Sequence, residues 1–324
     1  DLNPAKPGDT AQLMEQILYE VKRVVVGQDR FLERVMIAML AQGHLLVEGV
    51  PGLAKTLTIK TLANTVRGQF KRIQFTPDLV PADLVGTRMY NQKTGEFSTT
   101  LGPVFANLLL ADELNRTPPK TQAALLEAMQ ERTVSYAGTT YALPAPFFVL
   151  ATQNPLEQAG TYPLPEAQLD RFLLHIRVGY PSEAEERALL DRTTGSGMGK
   201  ANAVMDGEEV IALQKLVREV HVSEGLLAWI TRLVRASRPQ ESEVAAVREW
   251  VRWGAGPRAG QSLMLAAKAR ALIHGRLAAT REDVKALLAP VLRHRLLLSF
   301  AAEAERRSPD EVIEALLGAV EFPG

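Results

Sequence analysis

The stretch Gly49-Val50-Pro51-Gly52-Leu53-Ala54-Lys55-Thr56 contains the residue types that grip a polyphosphate. Its glycines let backbone N–H groups converge on phosphate oxygens, and a helix starting there adds the positive end of its dipole. At this spacing Lys55 reaches the β- and γ-phosphates, and the Thr56 hydroxyl is placed to ligate Mg2+. The apolar run Leu45-Leu46-Val47 before it and the helix-compatible stretch Leu57–Val66 after it supply strand and helix. Gly49, Pro51, Gly52, Leu53, Ala54, Lys55, Thr56 and Leu57 are therefore the candidate nucleotide-binding set. Ala54 occupies a position where the general pattern has glycine. Its small side chain still permits close approach, at a cost if φ is positive there. Taken alone, the stretch also fits an ordinary Gly/Pro turn.

Four further sites could complete such chemistry. Leu108-Leu109-Leu110-Ala111 ends in Asp112-Glu113, which puts two carboxylates at the C-terminal edge of a buried strand, where open α/β sheets bind ligands. Asp112 suits holding Mg2+ and Glu113 suits polarising an attacking water; two solvated acids in a turn is the competing reading. Asn154, after the next apolar run, could bond that water or the γ-phosphate, or could simply start the turn at Pro155. Arg171 sits among apolar residues. It could stabilise charge on a phosphoryl group held by a neighbouring subunit, or form a local surface pair with Asp170. Arg258 follows Pro257 in the first turn of a helix, where a cation opposes the dipole, so an anionic partner such as phosphate is expected.

Other features carry less. Gly195–Lys200 resembles a phosphate loop, but no strand precedes it, and it reads as a linker. His44, His175, His221, His274 and His294 lack metal-ligand spacing. Trp229, Trp250 and Trp253 are expected to pack the helical part. Arg293–Arg295 and Arg306–Arg307 read as solvated helix faces.

The elements that must position these residues follow from periodicity. Residues 1–10 read as a loose lead-in, followed by an amphipathic helix through Leu13, Ile17, Val21 and Val24 and a second helix capped by Asp29. Apolar strands at 72–75, 108–111, 147–151 and 172–176 alternate with helices, which indicates a parallel α/β sheet. Residues 87–103 and 133–143 read as hairpins. Beyond Pro181 helical periodicity takes over, at 183–192, 207–219, 224–236, 257–274, 281–289 and 309–318. The expected division is an α/β core over 1–181 and a helical domain over 182–324.

The 324 residues carry 37 basic and 37 acidic side chains, a balance that argues against nucleic acid as the main partner. The absence of cysteine excludes a disulfide framework, Fe–S clusters and thiol catalysis. No apolar run reaches membrane-spanning length. The chain opens at Asp1, so trimming of an upstream segment is expected, and the cytoplasm is the expected compartment.

With these residues assembled, the chain resembles the MoxR family of AAA+ ATPases from about Val25 to its end. The resemblance rests on Val26-Gly27-Gln28, on Gly49 to Thr56, on Ala111-Asp112-Glu113-Leu114-Asn115-Arg116 and on Gln122 to Arg132. It continues through Ala151-Thr152-Gln153-Asn154-Pro155, Pro163 to Phe172 and Pro257-Arg258-Ala259. Alanine at position 54 is usual in that family. The likeness implies a P-loop core with a helical lid, ATP or ADP with Mg2+ as ligands, and hydrolysis of ATP. It makes Lys55 and Thr56 the Walker A contacts, and Asp112 and Glu113 the Walker B pair. It makes Asn154 sensor 1, Arg171 an arginine finger acting in trans and Arg258 sensor 2. Val26, Gly27 and Gln28 would border the adenine. The two hairpins match the helix-2 insert and pre-sensor-1 hairpin of the clade that includes magnesium chelatase. Gly256 departs from the Ser often found before the Pro-Arg pair. The family implies a ring, with hexamers expected, and chaperone-like work with von Willebrand A-domain proteins in maturation of, or metal insertion into, client proteins. A DNA-translocating motor and a slow nucleotide switch are the alternatives. The near-neutral turns at 91–96 and 136–139 disfavour the first, and Glu113 disfavours the second.

Overall fold

Five short strands rich in Leu, Val, Ile and Ala pair side by side and form the centre of the molecule. The computed structural model describes residue 3 and residues 6–25, 27–49, 53–136, 138–155, 160–197 and 199–324. Helices α1 (Pro7–Lys22) and α2 (Asp29–Leu40) lead into β1 (Leu45–Gly49), α3 (Leu53–Thr65) and β2 (Phe70–Gln74). After α4 (Pro81–Val85) comes a hairpin, β3 (Gly86–Asn91) with β4 (Glu96–Leu101). Then follow β5 (Leu108–Asp112), α5 (Pro119–Glu131) and a second hairpin, β6 (Thr133–Tyr136) with β7 (Thr139–Ala142). Strand β8 (Phe148–Gln153), the short α6 (Glu166–Leu169) and β9 (Leu174–Val178) complete the sheet.

The sheet order is β2-β5-β8-β1-β9, with every pairing parallel. Both faces are covered, so the strands read as continuous apolar runs rather than alternating ones. One face packs Leu45, Val47, Leu108, Leu110 and Leu150 against α1, α2 and α3. The other packs Leu46, Leu109, Ala111 and Val149 against α5.

The remaining helices are α7 (Glu183–Thr194), α8 (Gly207–Glu219), α9 (Glu224–Ala236), α10 (Ala245–Trp250), α11 (Pro257–Ile273), α12 (Arg281–Leu292), α13 (Phe300–Ala304) and α14 (Pro309–Ala319). Their buried residues, among them Leu213, Trp229, Leu263, Leu287 and Leu316, belong to the same cluster as α1, α2 and the first sheet face. Side-chain caps by Ser182, Asp206, Ser223, Thr280, Ser299 and Ser308 start six of these helices.

Several expectations are corrected. Helix α1 begins at Pro7, inside the supposed lead-in, because proline is tolerated at a first helical turn. Asp29 is the first residue of α2 rather than its cap; Gln28 takes the cap position in the left-handed region at φ 63°. A strand pair, β10 (Val251–Trp253) with β11 (Leu297–Leu298), interrupts the helices and leaves Trp253 60% exposed instead of packed. Arg293 and Arg295 are not on a solvated face; Arg295 is buried, Arg293 is partly buried, and both are bonded to acids and carbonyls. Among the described residues no helix is long and apolar enough to cross a membrane.

Candidate active site

The parallel order puts β8 between β1 and β5, so the residues following all three strands meet at one sheet edge. They line a cleft of about 500 Å³ with Gly49, Lys55, Thr56, Asp112, Glu113 and Asn154 on its walls. Gly49 faces Val178 on β9, and a Cβ there would strike the Val178 carbonyl, so close strand approach requires glycine. Val50, Pro51 and Gly52 lie outside the described residues, as does Val26. Leu53 and Ala54 form the first turn of α3.

Lys55 is buried at 8% exposure. Burial pushes its ammonium below the ordinary lysine value, partly offset by the Asp112 carboxylate. An anion in the cleft would favour its charged form and push that value back up. One Asp112 oxygen accepts from Arg72 at 2.6 Å and the other from the Thr152 hydroxyl at 2.7 Å. The same Thr152 oxygen accepts the Glu113 N–H at 2.9 Å, locking the two acids to β8. Glu113 sits in the left-handed region at φ 57°, which is uncommon for a side chain of this size. Its carboxylate accepts from Gln74 at 3.1 Å and from Arg116 at 3.1 Å. Asn154 follows β8 on the cleft wall, and its carbonyl accepts from Asn115 at 3.3 Å.

The two arginines lie away from the cleft lining. Arg258 opens α11, half exposed, with a guanidinium nitrogen 3.5 Å from Asp170. Arg171 follows Asp170 directly and is partly exposed. Asp170 pairs with Arg295 and Arg258, so the local Asp170–Arg171 pair is not formed. Among the described residues the Arg171 side chain has no bonded partner. Leu57 lines a second cavity of about 410 Å³ with Arg23, Val24, Leu189 and Arg192. Gly27, at φ 69°, abuts Glu185, and Gln28 lines a separate cavity with Tyr180 and Arg293.

Sequence reasoning passed over Arg72, Gln74, Thr152 and Gln122. On β2 Ile73 is buried while Arg72 and Gln74 face the cleft, a period-2 pattern that pointed to them. Thr152 breaks an otherwise apolar strand. Gln122 has no such signature: its amide donates to the carbonyls of Leu114, Thr117 and Tyr162 and so ties the turn after β5 to the loop that carries Tyr162.

Comparison with known proteins agrees with this geometry. A family model for the ATPase family associated with various cellular activities (AAA) matches residues 44–174, and an AAA lid domain model matches 243–316. The chain is 49% identical to Chaperone MoxR1 of Mycobacterium tuberculosis over 96% of its own length and 82% of the relative's. It is 32% identical to Protein MoxR of Paracoccus denitrificans, covering 91% of each. A crystal structure from Cytophaga hutchinsonii superposes with a TM-score of 0.92 at 43% identity, covering 97% of this chain and 96% of that one.

Proposed function

The chain belongs to the MoxR family of AAA+ ATPases, and from that premise we propose that it works as a ring in which each ATP is broken with help from the next protomer's Arg171. Supporting this reading, the cleft collects Lys55, Thr56, Asp112, Glu113 and Asn154, while Arg171 stands outside it with no bonded partner among the described residues.

In this reading Lys55 and the turn before it bind the phosphates, and the purine lies beside Leu57 in the adjoining cavity. Glu113 orients and deprotonates the attacking water, Asn154 bonds it, and Arg258 closes from α11 onto the phosphate. The donors at Thr56 and Asp112 are hard oxygens, which suit Mg2+. When bound, the metal would neutralise phosphate charge. The ring, with six members expected, would turn hydrolysis into chaperone-like remodelling of a client. A von Willebrand A-domain protein is the proposed helper, and client maturation or metal insertion the proposed outcome. The β3–β4 hairpin exposes Met89, Tyr90 and Phe97, a surface suited to protein rather than DNA.

The test is subunit mixing. Arg171→Ala should abolish turnover while ATP binding persists, and addition of Lys55→Ala protomers, which carry an intact Arg171, should restore part of it. Mixtures that co-assemble yet stay inactive would refute the assignment.

A further inference from the structure

The basic run Arg293-His294-Arg295, at the end of α12, passes beneath the segment that carries Arg171. The Arg295 side chain is 2% exposed. Its Nε donates to Asp170 Oδ1 at 2.7 Å. One terminal nitrogen donates to the Val291 carbonyl at 2.7 Å and the Leu173 carbonyl at 3.2 Å. The other donates to the carbonyls of Phe172 at 2.8 Å and Asp170 at 3.1 Å, and to the Ser262 hydroxyl at 3.1 Å. His294 Nε2 also meets the Phe172 carbonyl at 2.8 Å, which can only accept.

Burying a cation this way is a poor route to stability, since apolar replacements of buried ion pairs are often neutral or better. A planar guanidinium with fixed donors is, however, a good way to fix direction. Four of its six acceptors lie within residues 170–173, and the carbonyls of both neighbours of Arg171, Asp170 and Phe172, are held. Arg171 therefore leaves the surface at an angle that Arg295 sets. The same guanidinium holds Ser262, one helical turn beyond Arg258 on α11. Asp170 in turn faces both arginines: Oδ1 meets Arg295, and Oδ2 lies 3.5 Å from Arg258.

We propose that Arg295 is a positioning residue that fixes the direction in which Arg171 is offered to the neighbouring protomer. The proposal rests on the reading of Arg171 as acting in trans.

Arg295→Lys keeps the charge and loses the fork. Its expected effect is a kcat lower by roughly 10–100-fold, the cost of misplacing a reacting group by about an ångström. Binding of a fluorescent ATP analogue should stay within about threefold of wild type. Lys55→Ala protomers should then restore turnover, because variant sites receive a well-placed arginine from their neighbours. If the same mixing rescues Arg171→Ala but not Arg295→Lys, Arg295 acts within its own site and the proposal is overturned while the trans reading stands. If neither is rescued, both fall. Should Arg295→Lys fail to assemble, Asp170→Asn decides, since it keeps the side-chain shape and weakens the bond from the Arg295 Nε to the segment that carries Arg171. A lower kcat that mixing rescues supports the proposal, and an unchanged kcat overturns it.

Discussion

Glu113 is placed by its backbone as much as by its side chain. The left-handed turn at 57° and the bond from its N–H to Thr152 aim the carboxylate along the cleft wall, where Gln74 and Arg116 hold it. Substitution by glutamine keeps the shape and removes the base. Glu113→Gln should lower ATP turnover by roughly 10²–10⁴-fold, the usual worth of a general base, while leaving nucleotide binding intact. Phosphate release and binding of a fluorescent ATP analogue, measured side by side, check this; an unchanged rate would support a slow switch instead. Lys55→Ala should fail earlier, at binding, because the buried ammonium is the strongest cation facing the phosphates. The residues that do chemistry were legible because their types are constrained by what they must hold. Those that orient them were less so: alternation on β2 pointed to Gln74 and a polar break in β8 to Thr152, whereas Arg295 gave no sign, because a second arginine signals nothing until its partner is known.

At the scale of elements, two buried polar groups bind the pieces together. Asp283 is completely buried in the first turn of α12 and accepts from Arg270 at 2.7 Å, Arg276 at 2.6 Å and the Thr280 N–H at 2.8 Å. Burial alone would raise its pKa, but the two guanidiniums and the N–H outweigh it and hold the carboxyl below its ordinary value. Asp283→Ala removes the acid that Arg276 and Arg270 share, leaving Arg270 only Glu33, and should cost about 3–5 kcal/mol in urea unfolding. His44 joins the start of β1 to its neighbours: Nδ1 accepts the Val149 N–H at 3.0 Å, and Nε2 donates to the Met129 carbonyl at 3.1 Å. Burial lowers its pKa from 6.5 to about 4, so the folded state keeps it neutral. Below pH 6.5 the unfolded chain binds a proton that the folded one refuses, so stability falls as pH drops from 6.5 toward 4. The loss should reach about 3 kcal/mol by pH 4. His294, lowered well below its ordinary value by burial and Arg295, adds to the same slope. Urea midpoints across that range check the sign, and His44→Gln should flatten the curve. The helices α8 and α9 were legible to the residue because amphipathic periodicity and caps coincide there. The pair β10 and β11 was not, because strands of two or three residues have no period to read.

For the whole molecule, even charge and an apolar hairpin set expectations about association. With 37 charges of each sign, gel shifts at low salt should show no retention of single- or double-stranded DNA. Light scattering of Glu113→Gln held in ATP should show a closed ring, and Arg171→Ala should still assemble, since that side chain is invoked for hydrolysis rather than adhesion. The boundary near 181 was drawn from a change in periodicity, which registers local conformation and is blind to which faces share a core. Here α1 and α2 lie against the sheet on one side and contribute to one apolar cluster with α8, α9 and α11 on the other. A polypeptide ended after Pro181 would therefore lose α8 and α11, which pack against α2, and leave part of the apolar surface of α2 facing water. It should come out of cells as inclusion bodies, whereas the same cut in a chain of beads would yield two usable halves.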